Sequence, residues 1–274
     1  MQTQSKPDKY ETIIANWYDS LRQIKKRNGR VAKMGELIKE RNESLFDDNA
    51  RQHGVYTNVL QYGVYTTAGL DYAPQNPVLL LRENSALLQS DNAEKAVQLH
   101  RNDKEYPISQ DTYNSHLRQA EKEAENVPEE RNILILPERD AFSINSQNHF
   151  DVLRFLAEDP TQAEKYLGKL GEKGINQINF YLRNKEYVDK QETPLTDQLW
   201  VHGVGGGFDF IGYHNCLNFA NHLVLGAFPI DKASPKTAKK MYKIVQEISK
   251  GNVKLSDLES RLSQVSSFLE NLSK

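Results

Sequence analysis

The chain has 274 residues, 26% of them charged, and a mean hydropathy of −0.70. No stretch approaches the roughly 18–20 apolar residues that a membrane span needs, so we expect no membrane-spanning helix. The formal net charge of −2 gives no overall attraction to nucleic acid, which argues against a nucleic-acid partner. The first 30 residues contain no secretory signal, and the single cysteine, Cys216, excludes an internal disulfide. We expect a cytoplasmic protein, with export by another route left open.

Residues 1–50 are predicted to form a helical hairpin. Asp8 and Glu11 have the spacing of a capping box, and Asn28-Gly29 interrupts the helical pattern. Apolar residues recur at three- and four-residue spacing on both sides of this break, as expected for two amphipathic helices. They are Tyr10, Ile13, Ile14, Trp17, Tyr18, Leu21 and Ile24 before the break, and Val31, Met34, Leu37, Ile38 and Leu45 after it.

Basic residues cluster at the bend of this hairpin: Lys25, Lys26, Arg27, Arg30 and Lys33. A helix-turn-helix contact with the phosphates of nucleic acid would use such a cluster. Charge at a helix junction is more often a solvated face, and the chain as a whole is slightly negative. We therefore favour a solvated surface over a contact with nucleic acid.

Residues 51–231 alternate between strand-like and helix-like patterns. Short apolar or β-branched runs bounded by Pro or Gly predict strands, and longer amphipathic runs predict helices. The predicted strands cover 55–67, 78–81, 133–136, 175–182, 199–202 and 223–228, and the predicted helices cover 93–100, 112–125, 148–157 and 161–170. Because two helices separate the strands at 133–136 and 175–182, and a glycine-rich region follows, we expect an α+β domain rather than a doubly wound sheet.

Residues 232–274 are predicted to form a second helical hairpin. Ser256 and Glu259 make another capping box, and Gly251-Asn252 separates the two helices. The apolar positions that recur at helical spacing are Met241, Ile244, Ile248, Leu255, Leu258, Leu262, Val265, Leu269 and Leu272. We favour packing of these helices on the body of the protein, because about two and a half heptads are short for an autonomous coiled coil. The alternative is an oligomer contact through the same helices.

Positions 201–231 differ in composition from the rest of the chain. Lys, Glu, Gln, Met and Trp account for 65 of the 274 residues, yet none of them falls in this segment. A buried hydrophobic strand would also lack these residue types, but the segment contains three of the seven histidines, three asparagines and Asp209. The five absent types are also the ones that no codon ending in a pyrimidine encodes. The gap therefore indicates a genetic cause as well as a structural one.

In this restricted alphabet the segment resembles the variable region of proteins diversified by diversity-generating retroelements, including archaeal ones. In that family the adenines of template codons such as AAC are randomised, and only pyrimidine-ending codons result. The resemblance covers about residues 130–231 and implies a C-type-lectin-like fold, in which a small sheet flanked by two helices displays the variable residues on one face. The predicted strands at 175–182, 199–202 and 223–228, with the glycines between them, match that arrangement.

The resemblance implies a ligand-binding display protein, without catalysis, metal or cofactor, whose surface at about 201–227 binds variable protein or small-molecule partners. The composition agrees, because aromatic side chains give large contact area at small entropic cost, while Asn, His and Gly supply adaptable hydrogen bonds. The candidate ligand-binding residues are His202, Val204, Phe208, Asp209, Phe210, Tyr213, His214, Asn215, Asn218, Asn221 and His222. On this interpretation the three domains are 1–50, 51–231 and 232–274.

Cys216 offers a competing chemistry. The run Asn-Cys-x-x-Phe resembles the nucleophile motif of permuted papain-like cysteine hydrolases, in which a helix N-terminus favours the thiolate and a histidine takes its proton. The spacing of His202, His214, Cys216 and His222 matches no familiar zinc site. The glycines at 203–207 are not followed by the Lys-Ser/Thr of a phosphate loop. A cysteine hydrolase is therefore the alternative to a display protein.

Overall fold

The computed structural model describes residues 9–44, 64–83, 85–102, 104–172, 174–204, 207–212, 217 and 223–228, and the single residues 244, 257 and 263. Lys9–Phe228 form one compact unit, and Met1–Asp8 with Pro229–Lys274 form another. The predicted C-terminal hairpin at 232–274 lies almost wholly outside the described residues. That hairpin and its oligomer contact therefore stay predictions.

Ten strands and seven α-helices are assigned within the described residues. The strands are β1 (Lys9–Ile14), β2 (Arg30–Val31), β3 (Val64–Tyr72), β4 (Leu79–Leu81), β5 (Ile133–Ile135), β6 (Phe142–Ile144), β7 (Ile178–Tyr181), β8 (Leu195–Val204), β9 (Gly207–Ile211) and β10 (Leu223–Phe228). The helices are α1 (Trp17–Lys26), α2 (Met34–Ser44), α3 (Ser90–His100), α4 (Gln110–Glu123), α5 (Phe150–Ala157), α6 (Pro160–Glu172) and α7 (Lys185–Asp189). None of the helices in this part of the chain is long and apolar enough to span a membrane.

The strands form one mixed sheet in the order β1-β10-β3-β8-β9-β7-β6, with β2 beside β10 and with β4 between β3 and β5. The β3–β10 and β7–β9 pairs are parallel, and the other described pairs are antiparallel. This arrangement confirms the α+β class. The sheet is larger than the small sheet that we expected.

The first predicted helix is wrong over residues 9–14, which form β1 and pair antiparallel with β10. Helix α1 begins later, and its N-cap is Asn16, whose side chain accepts a hydrogen bond from the backbone N–H of Asp19 at 2.9 Å. Asp8 and Glu11 are therefore not its capping box. The strand is stabilised by backbone hydrogen bonds to β10, which is distant in sequence, so the local spacing of apolar residues could not reveal it. Because β1 and β2 both pair with β10, these two strands attach the described part of residues 1–50 to the sheet.

Most of the other predicted elements are confirmed. The strands expected at 78–81, 133–136, 175–182, 199–202 and 223–228 are β4, β5, β7, β8 and β10. Of the strand expected at 55–67, residues 64–67 belong to β3, and residues 55–63 lie outside the described residues. The second N-terminal helix is α2, and the four helices expected between residues 93 and 170 are α3 to α6. Strands β2, β6 and β9 and helix α7 were not predicted, because segments of two to five residues are too short to show a period. Val31, which we expected in the second helix, lies in β2.

Helices cover both faces of the sheet. On one face, α2, α5 and α6 pack on an apolar core that includes the sheet residues Leu70, Phe180, Leu199, Val201, Phe210 and Leu225. On the other face, α1, α3 and α4 pack on a second cluster that includes Tyr65, Trp200 and Val224. In this second cluster the Trp17 ring meets Tyr65 edge-on at 5.5 Å, and Tyr65 stacks on Trp200 at 6.3 Å. The sheet is thus the middle of three layers.

A buried ion cluster joins the segment that follows β7 to β8. Arg183 is 6% exposed, and its guanidinium donates hydrogen bonds to both carboxylate oxygens of Asp197 on β8 and to both of Glu105, the latter at 2.8 and 2.6 Å. Burial lowers the pKa of Arg183, but the negative charges of Asp197 and Glu105 and their hydrogen bonds raise that pKa by more. The guanidinium therefore stays charged in the interior.

We expect Arg183→Met to lower the free energy of unfolding by about 3–5 kcal/mol, because it leaves two buried carboxylates without their cation. Urea denaturation followed by circular dichroism measures this change. Arg139→Met is the matched control: Arg139 pairs with Asp189 at the surface, and its loss should cost about 1 kcal/mol or less. Equal effects of the two substitutions would contradict the prediction.

Strand β7 supplies a second test of the core. Phe180 is fully buried, stacks on Phe142 at 5.0 Å and lies 5.5 Å from Phe210. We expect Phe180→Ala to cost about 3–5 kcal/mol and Ile178→Ala about 2–5 kcal/mol, because each leaves a cavity. The control Gln177→Ala, at an exposed position, should stay within about 0.5 kcal/mol in the same denaturation experiment. A loss below about 0.5 kcal/mol at both core positions would refute the prediction.

Candidate functional site

The candidate binding segment, 201–227, runs through β8, β9 and β10. Five of the predicted ligand-binding residues lie on described strands: His202 and Val204 on β8, and Phe208, Asp209 and Phe210 on β9. The other six lie outside the described residues: Tyr213, His214, Asn215, Asn218, Asn221 and His222. Cys216, the nucleophile of the alternative hypothesis, also lies outside them.

Strands β8 and β9 form an antiparallel hairpin. In its register Val201 lies opposite Phe210, His202 opposite Asp209, and Val204 opposite Gly207. Gly203 and Gly207 therefore lie at the end of a hairpin. This placement agrees with the sequence argument against a phosphate loop, since such a loop leads into a helix.

The two faces of β9 have different environments. Successive residues of a strand point to opposite faces, and Phe210 is 1% exposed and packs in the core beside Phe180. Asp209 and Ile211 lie on the other face and are partly exposed. Our assignment of Phe210 to the ligand-binding surface is therefore wrong: this side chain belongs to the core. The error arose because β9 was not predicted, so the alternation of its residues was not applied.

A row of polar side chains crosses the face that carries Asp209. Ser143 on β6, Asn179 on β7 and Asp209 on β9 occupy the same register level, and His202 on β8 is the next position along it. The Ser143 hydroxyl donates to Asn179 Oδ1 at 3.0 Å, and Asn179 Nδ2 donates to Asp209 Oδ1 at 3.0 Å. We call Ser143, Asn179 and Asp209 the polar row; all three are partly exposed.

Sequence reasoning missed Ser143 and Asn179 as site residues because they lie outside the unusual segment. A signal was present in the alternation of β7, where Asn179 stands between the apolar residues Ile178 and Phe180. That alternation predicts a polar second face on β7. Only the parallel β7–β9 pairing brings this face beside Asp209.

Gly212 anchors the backbone where the segment leaves β9. Its carbonyl oxygen accepts a hydrogen bond from the Tyr72 hydroxyl at 2.8 Å, and its N–H donates to the Tyr181 carbonyl at 2.9 Å. A Cβ atom at this position would collide with Leu70 Cδ1. The close approach of backbone to core therefore requires glycine here.

Leu217 is a second anchor. It is 1% exposed and belongs to the cluster formed with α1, α3 and α4. Its carbonyl oxygen accepts a hydrogen bond from the backbone N–H of Trp17, the first residue of α1, at 2.9 Å. Beyond it the segment enters β10, every residue of which is buried. The segment is thus attached to the protein before, within and after the stretch 213–222.

One set of side chains among the described residues has the spacing of a metal site: ligand atoms of His100, Glu105 and Asp197 lie within 4.8 Å of one another. The two carboxylates, however, already accept hydrogen bonds from the Arg183 guanidinium. A divalent cation there would lie beside a buried positive charge, so Arg183 occupies the place that a metal would need. Burial lowers the pKa of His100, and Arg183 lowers it against the opposing effect of Asp197.

Comparison with known proteins shows the fold. No protein-family model matches the chain, and no curated protein matches it. A solved structure that matches is a protein from Nanoarchaeota, described as accommodating massive sequence variation by the C-type lectin fold. It is 14% identical, the match covers 79% of this chain and 96% of that chain, and the TM-score is 0.54. The chain therefore has the C-type lectin fold that the sequence resemblance implied.

Proposed function

We propose that this protein is a ligand-binding display protein whose diversified surface, at about 201–227, binds variable partners. The observation that carries the proposal is the alternation of buried and partly exposed residues along β9. Phe210 packs in the core, while the neighbouring Asp209 and Ile211 are partly exposed on the opposite face. Phe210 maintains the fold and Ile211 packs at the edge of the second apolar cluster, whereas the Asp209 side chain can change without removing a contact from either cluster.

The attachment of the segment supports the same proposal. The hydrogen bonds at Gly212 and Leu217 use backbone atoms of the segment, so they do not depend on which side chains stand between the two anchors. Loops that bind ligands are generally held in this way by a rigid scaffold. A scaffold of this kind tolerates many sequences between its anchors.

The residue alphabet and the fold support diversification by a retroelement of archaeal type. The absence of Lys, Glu, Gln, Met and Trp from 201–231 is what pyrimidine-ending codons produce. The similar protein from Nanoarchaeota is described as accommodating massive sequence variation by the same fold. The first observation concerns how the codons vary and the second concerns a fold that accommodates variation, so the two are independent.

The polar row favours partners that offer hydrogen bonds. The Asp209 carboxylate accepts one hydrogen bond from Asn179 and retains lone pairs for a further donor, and it is partly exposed. Neighbouring Ile211 and Tyr181 lie opposite each other at the next exposed level of the β7–β9 pair and add apolar contact area. A surface that mixes aromatic, apolar and polar groups is typical of binding loops.

We expect simultaneous replacement of eight residues by other residues with pyrimidine-ending codons to shift the melting temperature by no more than about 5 °C. The eight are His202, Phe208, Asp209, Tyr213, His214, Asn215, Asn218 and His222. The single substitution Phe210→Ala is the contrast and should cost about 3–5 kcal/mol, because it removes a buried ring. Thermal denaturation measures both. An eightfold variant that does not fold would rule out the display function.

Binding is tested with two libraries of the full chain displayed on yeast. One is randomised at the eight positions, and the other at the exposed positions of α4. Each is selected against three unrelated folded proteins. We expect binders from the first library, dominated by aromatic residues, and none of comparable affinity from the second. Equal yields would show that the segment has no special role in binding.

The gene provides a separate test of diversification. We expect the codons of 201–227 to end in C or T and to have a near-copy rich in AAC beside a reverse-transcriptase gene. Ordinary third-base usage in these codons would contradict the retroelement while leaving the binding experiment valid.

Cys216→Ser separates the display protein from a cysteine hydrolase. We expect the substitution to leave stability and ligand binding nearly unchanged, and we expect Cys216 to react with iodoacetamide at the rate of an ordinary thiol. An activated nucleophile would instead alkylate rapidly near neutral pH, and replacement of one histidine by Asn would slow it. That result would favour the hydrolase.

A further inference from the structure

A cleft of 580 Å³ lies between α1, β2 and the start of α3. None of its described lining residues belongs to 201–227. Its apolar lining comes from Leu21 and Ile24 of α1, Val31 of β2 and Leu88. The volume lies within the range of about 300–1,000 Å³ that is usual for small-molecule sites. The cleft is therefore large enough for a small-molecule ligand. Such a ligand would not contact the described residues of 201–227.

Thr67 lines this cleft from β3, at a break in the sheet register. The pairing of β3 with β8 shifts between Tyr65 and Gly69, and the Gln198 side chain bridges the irregular stretch by donating to the Ala68 carbonyl at 2.6 Å. Bulges of this kind commonly redirect a side chain beside a binding site. Thr67 is 7% exposed, and its hydroxyl has no hydrogen-bond partner among the described residues. A buried hydroxyl in this state is explained if a ligand supplies the partner.

The N-terminus of α3 forms another part of the lining. Gln89, at the N-cap, makes no side-chain capping hydrogen bond, and Gln89, Ser90 and Asp91 all line the cleft. The first N–H groups of a helix have no partner within the helix, and they carry partial positive charge. An uncapped N-terminus of this kind favours an anionic group.

Cations from α1 lie beside this helix end. Lys25 lines the cleft, and a neighbouring cleft of 700 Å³ shares Lys25 and Ser90 and adds Arg22 and Lys26. Neither Lys25 nor Lys26 takes part in an ion pair within the part of the chain that the structure describes. Their charge is therefore available to a ligand.

The other charged groups of the cleft are mostly compensated by neighbours. Arg30 donates two hydrogen bonds to the Glu36 carboxylate, one of them at 2.8 Å, and Glu83 is paired with Lys33. Asp91 remains as an exposed negative charge in the first turn of α3. In the neighbouring cleft, Asp19 lies 3.9 Å from Arg22. Lys25, Lys26 and the helix end together outweigh Asp91, the carboxylate without such a partner among the described residues.

We propose that the cleft binds a small organic anion. Its phosphate or carboxylate group lies between Lys25 and the N-terminus of α3, and its apolar part contacts the side chains of Leu21, Ile24 and Leu88. The Thr67 hydroxyl hydrogen-bonds a polar atom of the ligand. None of the described residues of 201–227 lines this site, so the proposal does not rest on the proposed function.

Calorimetric titration of the full chain tests the proposal with four probes: phenyl phosphate, benzoate, inorganic phosphate and phenol. We expect phenyl phosphate or benzoate to bind with a Kd below about 1 mM. Inorganic phosphate and phenol, which each carry only one part of the ligand, should bind at least about tenfold more weakly. Tighter binding of phenyl phosphate identifies an organic phosphate, and tighter binding of benzoate identifies a carboxylate. No saturable binding of either probe at about 10 mM would overturn the proposal.

Substitutions distinguish an anion site from non-specific attraction. Lys25→Gln should raise the Kd about tenfold, whereas Asp91→Asn should lower it severalfold because it removes a like charge beside the anion. Lys95→Gln, at an exposed position on α3 outside both clefts, is the matched control and should leave the Kd unchanged. Weaker binding by Asp91→Asn, or an equal effect of Lys25→Gln and Lys95→Gln, would overturn the proposal.

Discussion

Strand β8 is the element on which the rest of the structure depends. It pairs with β3 on one side and β9 on the other, and all of its residues from Leu195 to Val201 are buried. A strand covered on both faces must satisfy any polar side chain internally. Asp197 achieves this through Arg183, and Gln198 donates to carbonyl groups of the irregular part of β3. Both interactions hold β8 in a single register. Because β9 pairs with β8, its position is fixed by that register.

This dependence explains how one segment can serve both the core and a surface. The segment 201–227 starts on the central strand, turns back as β9, and returns to the sheet as β10 between β1 and β3. Its apolar members Val201 and Phe210 share the core with α2, α5 and α6. Its polar member on β9, Asp209, lies on the other face, beside Asn179 of β7, which comes from a different part of the chain. The proposed binding face is therefore built jointly by the unusual segment and by ordinary sequence.

The local pattern of the sequence was sufficient for elements stabilised by their own apolar periodicity. Strands β5 and β7 and helices α3 to α6 follow from runs bounded by Pro, Gly or capping residues. Strand β1 could not be predicted in this way, because its partner β10 lies at the other end of the compact unit. The Arg183 cluster could not be predicted for the same reason, because its partners Glu105 and Asp197 lie far from it in the sequence. For the candidate site, composition located the segment, but only the alternation along β9 separates Phe210 from Asp209, and only the β7–β9 pairing adds Asn179.

The anchors of the segment have a further property in common. Val201, Phe210, Gly212 and Leu217 are the buried or sterically required members, and each can be written with a pyrimidine-ending codon that contains no adenine. Asp209, on the exposed face, cannot. When copying errors occur only at adenines, a template that specifies the anchors directly passes them on unchanged. The genetic code then protects the residues that the fold requires, and no selection against misfolded copies is needed at those positions.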